Sequence, residues 1–314
     1  MCRSIVTFVK RKSKVALSEI ILSITNLTKR YGSLLAVDRL NLDIERGSVF
    51  GILGPNGSGK TTTLGILLDI IRPTGGSFSW FGRSPTKDDR KRIGAILETP
   101  IFYPYLSACK NLELIADIKG LGYGDIDRVV ELVGLSERKY SKYRTYSLGM
   151  KQRLAIAAAM QGNPDVLILD EPTNGLDPTG IAEIRRLILK IASQGTTILL
   201  ASHILDEVQK TCSHVAVLEK GKKLYAGKVS EVLNESHWFE IASENMGGLL
   251  LTLKNIPQVK EIQEEREILV IRLAEKFSLT ELNKVLVEKG IIVSHLASRK
   301  KSLENYFLEL LGKS

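Results

Sequence analysis

The chain has little of what marks several large classes of protein. Its 314 residues contain only three cysteines, Cys2, Cys109 and Cys212, far apart and odd in number. That excludes a disulfide framework and a cysteine-built zinc site, and it suits a reducing compartment. No apolar run approaches the ~20 residues that a membrane-spanning helix needs. The chain therefore reads as soluble or peripheral. It shows no heptad repeats, which argues against a long coiled coil. An Asn-Lys-x-Asp guanine reader is also missing. What remains is an ordinary globular mix, 44% hydrophobic and 25% charged, able to bury a core. At roughly 150 residues per domain, the length allows two.

Charge is uneven. The formal net charge is +9, yet residues 236–314 hold 11 Lys+Arg against 11 Asp+Glu, so the excess lies upstream. Part of it sits at the start, where Arg3, Lys10, Arg11, Lys12 and Lys14 precede the first acid, Glu19. The apolar Ile5–Val9 stretch comes before most of these cations, the reverse of a signal peptide's order. Residues 1–19 read as a basic extension: either an unstructured tail or a weak attraction to anionic headgroups.

The strongest local signal is Gly54-Pro55-Asn56-Gly57-Ser58-Gly59-Lys60-Thr61, a full match to the G-x-x-x-x-G-K-[ST] phosphate loop, with Thr62 following. Its context fits. Val49 to Leu53 reads as a buried strand, and Thr61 to Ile70 as a helix with Leu64, Leu67 and Leu68 apolar. Such a loop wraps a polyphosphate in backbone N–H groups, and its glycines let the backbone come close. Lys60 is placed to reach the β- and γ-phosphates, and the Thr61 hydroxyl to ligate Mg²⁺.

A phosphate loop identifies a nucleotide binder; the activity is set downstream. Val166-Leu167-Ile168-Leu169 reads as a strand buried in a parallel sheet and ends in Asp170-Glu171-Pro172. An acid at that strand end supplies a second Mg²⁺ contact, which assigns Asp170. Glu171, next to it, is placed to activate a water as general base. A third motif, Ser147-Leu148-Gly149-Met150-Lys151-Gln152-Arg153, precedes Asp170 by 23 residues. Ser147 offers a hydroxyl, Gly149 permits close approach, and the following run is helical, which together make an anion site.

With these three motifs in order, the chain resembles the ATP-binding subunit of ABC transporters. The third motif is similar to the signature usually written L-S-G-G-Q. The resemblance implies a P-loop NTPase α/β core over residues 20–235, with a helical subdomain at about 100–160. It also implies a second copy of the chain, so that two ATP molecules lie between head-to-tail partners and each Ser147 turn faces the other's γ-phosphate. Tyr31 resembles the aromatic that stacks on adenine. Asn174-Gly175-Leu176-Asp177 resembles the loop that crosses the interface, and His203 the switch histidine that contacts γ-phosphate. Glu98 stands where the family usually has Gln, in the loop that meets Mg²⁺ or water and the membrane partner; a carboxylate can still ligate Mg²⁺. Glu98, the Thr-Pro-x-Phe-Tyr context and the Ser-Leu-Gly-Met form of the signature are similar to bacitracin- and lantibiotic-type exporters.

The expected activity is ATP hydrolysis with Mg²⁺, driving export through a separate permease at the cytoplasmic face of the membrane. No nucleic-acid partner is expected. The alternative is an ABC-type ATPase acting on ribosomes or nucleic acid, which the basic charge permits; such proteins usually carry two cassettes or long coiled coils.

After residue 235 the texture changes. Trp238–Ala242, Val259–Gln263, Ile268–Leu273 and Ile291–Leu296 read as strands. Glu244–Ile256 and a segment opened by the capping box Ser278-Leu279-Thr280-Glu281 read as helices. This β-α-β-β-α-β order suits a small α+β, ferredoxin-like accessory layer over residues 236–314. A last helix is expected at Ser302–Leu311, and His214, His237 and His295 read as structural.

Overall fold

The computed structural model describes residues 19–97, 101–234, 238–274 and 277–299. The basic extension before Glu19, Glu98 with Thr99 and Pro100, His237, and the helix expected at 302–311 lie outside the described residues.

The chain opens with two long strands, β1 (Ile20–Tyr31) and β2 (Leu34–Glu45). Both exceed the short strands legible in the sequence, because bulges near Asn26 and Arg39, each at positive φ, carry the pairing past polar positions. β3 (Val49–Leu53) leads through the phosphate loop into α1 (Lys60–Leu67), and β4 (Gly75–Trp80) returns to pair with β1. The order β2-β1-β4 makes an antiparallel sheet.

β5 (Ile93–Ile96) is followed by the helices α2 (Ala108–Lys119), α3 (Ile126–Leu132) and α4 (Leu148–Ala159). Then come β6 (Val166–Asp170), α5 (Pro178–Ser193), β7 (Thr197–Ser202), α6 (Leu205–Thr211), β8 (His214–Glu219), β9 (Lys222–Lys228) and α7 (Val229–Asn234). The central sheet has the order β5-β6-β7-β3-β8-β9, parallel throughout except for β9.

Every residue of β3, β6 and β7 is buried, as a parallel sheet covered on both faces requires. Alternate residues feed two cores. Leu53, Leu167, Leu169, Ile198, Leu200, Val215 and Val217 point into a core shared with the helices α2–α6. Ile52, Val166, Ile168, Leu199, Ala201, Ala216 and Leu218 point into a core shared with α1 and the antiparallel sheet, where Trp80 is buried and its indole N–H donates to Leu67 O. The period of two thus joins three layers.

The remaining strands are β10 (Trp238–Ala242), β11 (Val259–Glu265), β12 (Ile268–Leu273) and β13 (His295–Ser298), with α8 (Met246–Lys254) and α9 (Leu279–Glu288) between them. They form an antiparallel sheet in the order β11-β12-β10-β13. Ile241, Leu249, Leu253, Ile271, Leu282 and Leu286 make a core of their own. Ser278 and Glu281 close the reciprocal capping box at the start of α9. The last strand starts four residues later than the sequence suggests. Ile291 and Val293 alternate like a strand but pack on this core from a loop.

Candidate nucleotide site

The central sheet collects the chemistry at one end. Leu53, the last residue of β3, pairs with Ser202 of β7, and Asp170, the last of β6, pairs with Ala201. The phosphate loop, Asp170-Glu171 and Ser202-His203 therefore leave neighbouring parallel strands at their carboxyl ends, where open α/β sheets bind ligands.

The phosphate loop uses its glycines for space and for backbone shape. A Cβ at Gly54 would run into the carbonyl of Leu218, and one at Gly59 into that of Ala36. Gly59 also sits at φ +104 as the N-cap of α1, where it offers no side-chain cap to the first turn. The N–H groups of that turn thus stay available to an anion.

Lys60 is buried, 5% exposed. Its Nζ donates to the carbonyls of Gly54 (2.8 Å) and Pro55 (3.3 Å) and lies 3.4 Å from Glu171 Oε1. Ser58 Oγ is buried without a hydrogen-bond partner among the described residues. Thr63 spends its hydroxyl on Gly59 O, whereas Thr61 is exposed and Thr62 half-buried. A buried ammonium folded onto its own loop, an orphaned hydroxyl and an uncapped helix start are a donor set that fits the polyphosphate of a Mg²⁺-bound nucleotide. Pro55, Asn56 and Gly57 form the exposed rim of the loop.

Glu171 faces this loop. Its backbone has φ +47, a left-handed conformation that costs a non-glycine residue roughly 1–2 kcal/mol. Its N–H donates to Ala201 O at 2.9 Å, and its own carbonyl accepts from Asn174 N–H at 3.1 Å, so both sides of the peptide are fixed. Glu171 Oε2 lies 2.8 Å from His203 Nδ1 and also accepts the His203 backbone N–H at 3.4 Å. One carboxylate is thus held between the phosphate-loop lysine and the histidine after β7. Asp170 is buried, 3% exposed, at the strand end beside it.

The other sequence-selected residues lie in separate places. Ser147 caps α4, its Oγ accepting from Met150 N–H at 3.3 Å. A Cβ on Gly149 would lie 3.9 Å from Leu176, and one on Gly175 would lie 3.3 Å from Leu148. The Ser147–Gly149 turn therefore leans on the 174–177 loop of the same chain. Asp177 caps α5 by accepting from Gly180 N–H at 2.9 Å, with Pro178 at the first helical position. Tyr31, 46% exposed, ends β1 with Lys29 Nζ 4.8 Å from its ring centroid.

Two residues of this region escape a sequence reading. Thr173, two residues beyond Glu171, and Glu207 of α6 meet through a buried 2.5 Å hydrogen bond. The signal for Glu207 is faint: a carboxylate on the face of α6 that also buries Val208 and Thr211. Of the other histidines, His214 stacks on Phe50 at 6.3 Å and His295 lies 3.6 Å from Glu240.

Residues 37–174 match the ABC transporter family. The chain is 40% identical over 301 residues to the bacitracin transport ATP-binding protein BcrA of Bacillus licheniformis, covering 93% of this chain and 97% of that one. It belongs to the ATP-binding subunits of ABC transporters, ATPases that use ATP with Mg²⁺ to drive transport. A lantibiotic transport ATP-binding protein, SrtF of Streptococcus pyogenes, is 39% identical over 225 residues, 70% of this chain and 98% of that one. Among solved structures, CbiO1 of Clostridium perfringens, part of an ABC transporter complex, superposes with a TM-score of 0.63 at 31% identity, covering 69% of this chain and 92% of that one. A nucleotide-free ATP-binding cassette superposes with a TM-score of 0.62 at 23% identity, which bears on the fold alone.

Proposed function

We propose that this chain hydrolyses ATP at the cytoplasmic face of a membrane to power export of a peptide antibiotic of the bacitracin or lantibiotic kind. It works as a head-to-tail pair bound to a separate permease. The substrate class rests on the near full-length similarity to the bacitracin transport protein and on the lantibiotic transport relative. The need for a permease rests on the described residues, in which no helix is long and apolar enough to cross a membrane. A surface suited to that partner begins at Ile101. Ile101 (96% exposed), Tyr103, Tyr105 and, on α2, Ile118 (84%) present large apolar side chains to solvent.

In this reading Gly54–Thr62 wraps the phosphates, Lys60 neutralises charge on the β- and γ-phosphates, and Tyr31 supports the adenine ring. Thr61, Asp170 and Glu98 would hold Mg²⁺, which would supply charge neutralisation when bound. Glu171 accepts the proton of the attacking water, and His203 donates to the developing charge on the γ-phosphoryl group. Ser147 and Gly149 serve the nucleotide of the partner chain, and Asp177 lies on the loop that crosses to it. Nucleotide entry would draw Lys60 away from the loop carbonyls and from Glu171, which frees the carboxylate for water.

The observation that carries this reading is the placement of Glu171 Oε2 2.8 Å from His203 Nδ1 with Oε1 3.4 Å from Lys60 Nζ. Glu171→Gln keeps the shape and removes the base. Phosphate release by the chain with its permease in vesicles should fall by about 10² to 10⁴, with ATP still bound. Turnover at the unmutated rate would overturn the assignment.

A further inference from the structure

Glu207 is 4% exposed on the inner face of α6, an uncommon position for a carboxylate. Its Oε2 accepts two hydroxyl hydrogen bonds, from Thr173 Oγ1 at 2.5 Å and from Ser202 Oγ at 3.4 Å, while Oε1 is buried without a hydrogen-bond partner among the described residues. Burial pushes its carboxyl up from the ordinary range. The two hydroxyls and the charge of Arg185 pull it back, and the charge of Glu171 adds to the rise. Its charge adds to the burial that pushes up the nearby Cys212 thiol.

The two donors belong to different loops. Thr173 follows Glu171 by two residues and precedes Asp177 by four, and Ser202 directly precedes His203. Ser202 Oγ also accepts from Ile204 N–H at 3.0 Å, and Ser202 O accepts from Gly54 N–H at 3.4 Å. Glu207 Oε2 therefore ties the loop of Glu171 to the turn of His203, and Ser202 O ties that turn to the start of the phosphate loop.

We propose that Glu207 is a positioning residue for ATP hydrolysis, a strap whose Oε2 holds the Glu171–Asp177 loop at a fixed spacing from the His203 turn. Glu207 touches no reacting atom. The proposal rests on the roles given above to Glu171 and His203. It adds that their separation is set by a buried carboxyl group and two hydroxyls, and that the loop leading to Asp177 is tethered to the same point. Buried hydrogen bonds of this kind hold geometry better than an exposed ion pair, because water cannot replace them.

The test compares Glu207→Ala, Glu207→Gln, Thr173→Val and the Glu207→Ala/Thr173→Val pair in the full chain with its permease, measuring kcat and KM for ATP. Glu207→Ala should lower kcat about tenfold or more and leave KM within about twofold, the pattern of lost transition-state geometry. Glu207→Gln should restore kcat to within about twofold, because its amide oxygen accepts both hydroxyls. Thr173→Val should reproduce the Ala loss, and the pair should be no worse than either single variant. An unchanged kcat in Glu207→Ala, a Gln loss as large as the Ala loss, or additive losses would overturn the strap. If Glu207→Ala does not fold, Thr173→Val, which keeps the volume, decides by itself: unchanged kcat overturns the proposal. Glu171→Gln run in parallel separates the two ideas. Full turnover there removes the general-base reading and the strap with it, whereas a stalled Glu171→Gln beside normally active Glu207 and Thr173 variants removes the strap alone.

Discussion

The two largest sheets of this chain spend their alternation differently. In the six-stranded sheet, alternate residues enter two cores, one shared with helices and one with α1 and the antiparallel strands. In the four-stranded sheet they enter one core and one charged face. On that face, around the buried Val270, Glu240 lies 3.6 Å from both His295 and Arg299, Arg299 lies 2.8 Å from Glu265, and Arg272 lies 2.9 Å from Glu261. A sheet covered on both sides has no face to offer a ligand, so its chemistry gathers at the strand ends. Lys60, Asp170, Glu171 and His203 do so. The four-stranded sheet has an open face, and fills it with ion pairs that neutralise one another.

The sharpest way to break this comparison is to hollow each core. Ile168 and Ile271 are both fully buried, one in each sheet. Truncating either to alanine should cost about 2–5 kcal/mol. The chain has two tryptophans: Trp80, on β4, lies in the core that holds Ile168, and Trp238 lies in the four-stranded sheet, so Trp238→Phe and Trp80→Phe backgrounds each report one layer. In denaturant titrations followed by fluorescence, Ile271→Ala should move the Trp238 transition and spare both the Trp80 transition and ATP hydrolysis. Ile168→Ala should move the Trp80 transition and depress hydrolysis, since its strand carries Asp170. If both transitions move together in either variant, the two layers unfold as one.

A middle-sized effect contrasts two helix caps. Ser278 accepts from Glu281 N–H at 3.3 Å, and Asp177 accepts from Gly180 N–H at 2.9 Å. Replacing either by alanine should destabilise by about 1 kcal/mol, read as a shift of the denaturation midpoint. Only Asp177→Ala should also slow phosphate release, because its loop is proposed to cross to a partner chain. Equal effects on hydrolysis would reduce Asp177 to a cap.

The same contrast explains what the sequence discloses. The strands β3, β6 and β7 were legible as unbroken apolar runs, and the phosphate loop, Asp170-Glu171 and His203 at their ends were legible because the motifs fix residue type and spacing. β9, Lys222–Lys228, was not, because an edge strand with its polar side chains exposed carries no burial pattern. β13 was shifted because loop residues Ile291 and Val293 imitate strand alternation while packing on the core. Glu207 was illegible for a third reason. Its partners, Thr173 and Ser202, lie 34 and 5 residues away, and only the meeting of two loops reveals why a carboxylate is buried there.

The smallest effect tests the charged face itself. Arg299 pairs with Glu240 and Glu265, and all three side chains are about a third or more exposed. Exposed pairs contribute about 0.2–1 kcal/mol, since water and side-chain entropy offset most of the attraction. Arg299→Ala should therefore lower stability by less than about 1 kcal/mol in dilute buffer. The loss should shrink towards zero at about 1 M salt, where the screening length falls to roughly 3 Å. A loss that persisted at high salt would mean that Arg299 contributes through packing of its stem over Val270 and the sheet, and the face would then resemble a second core rather than a solvated ladder of charges.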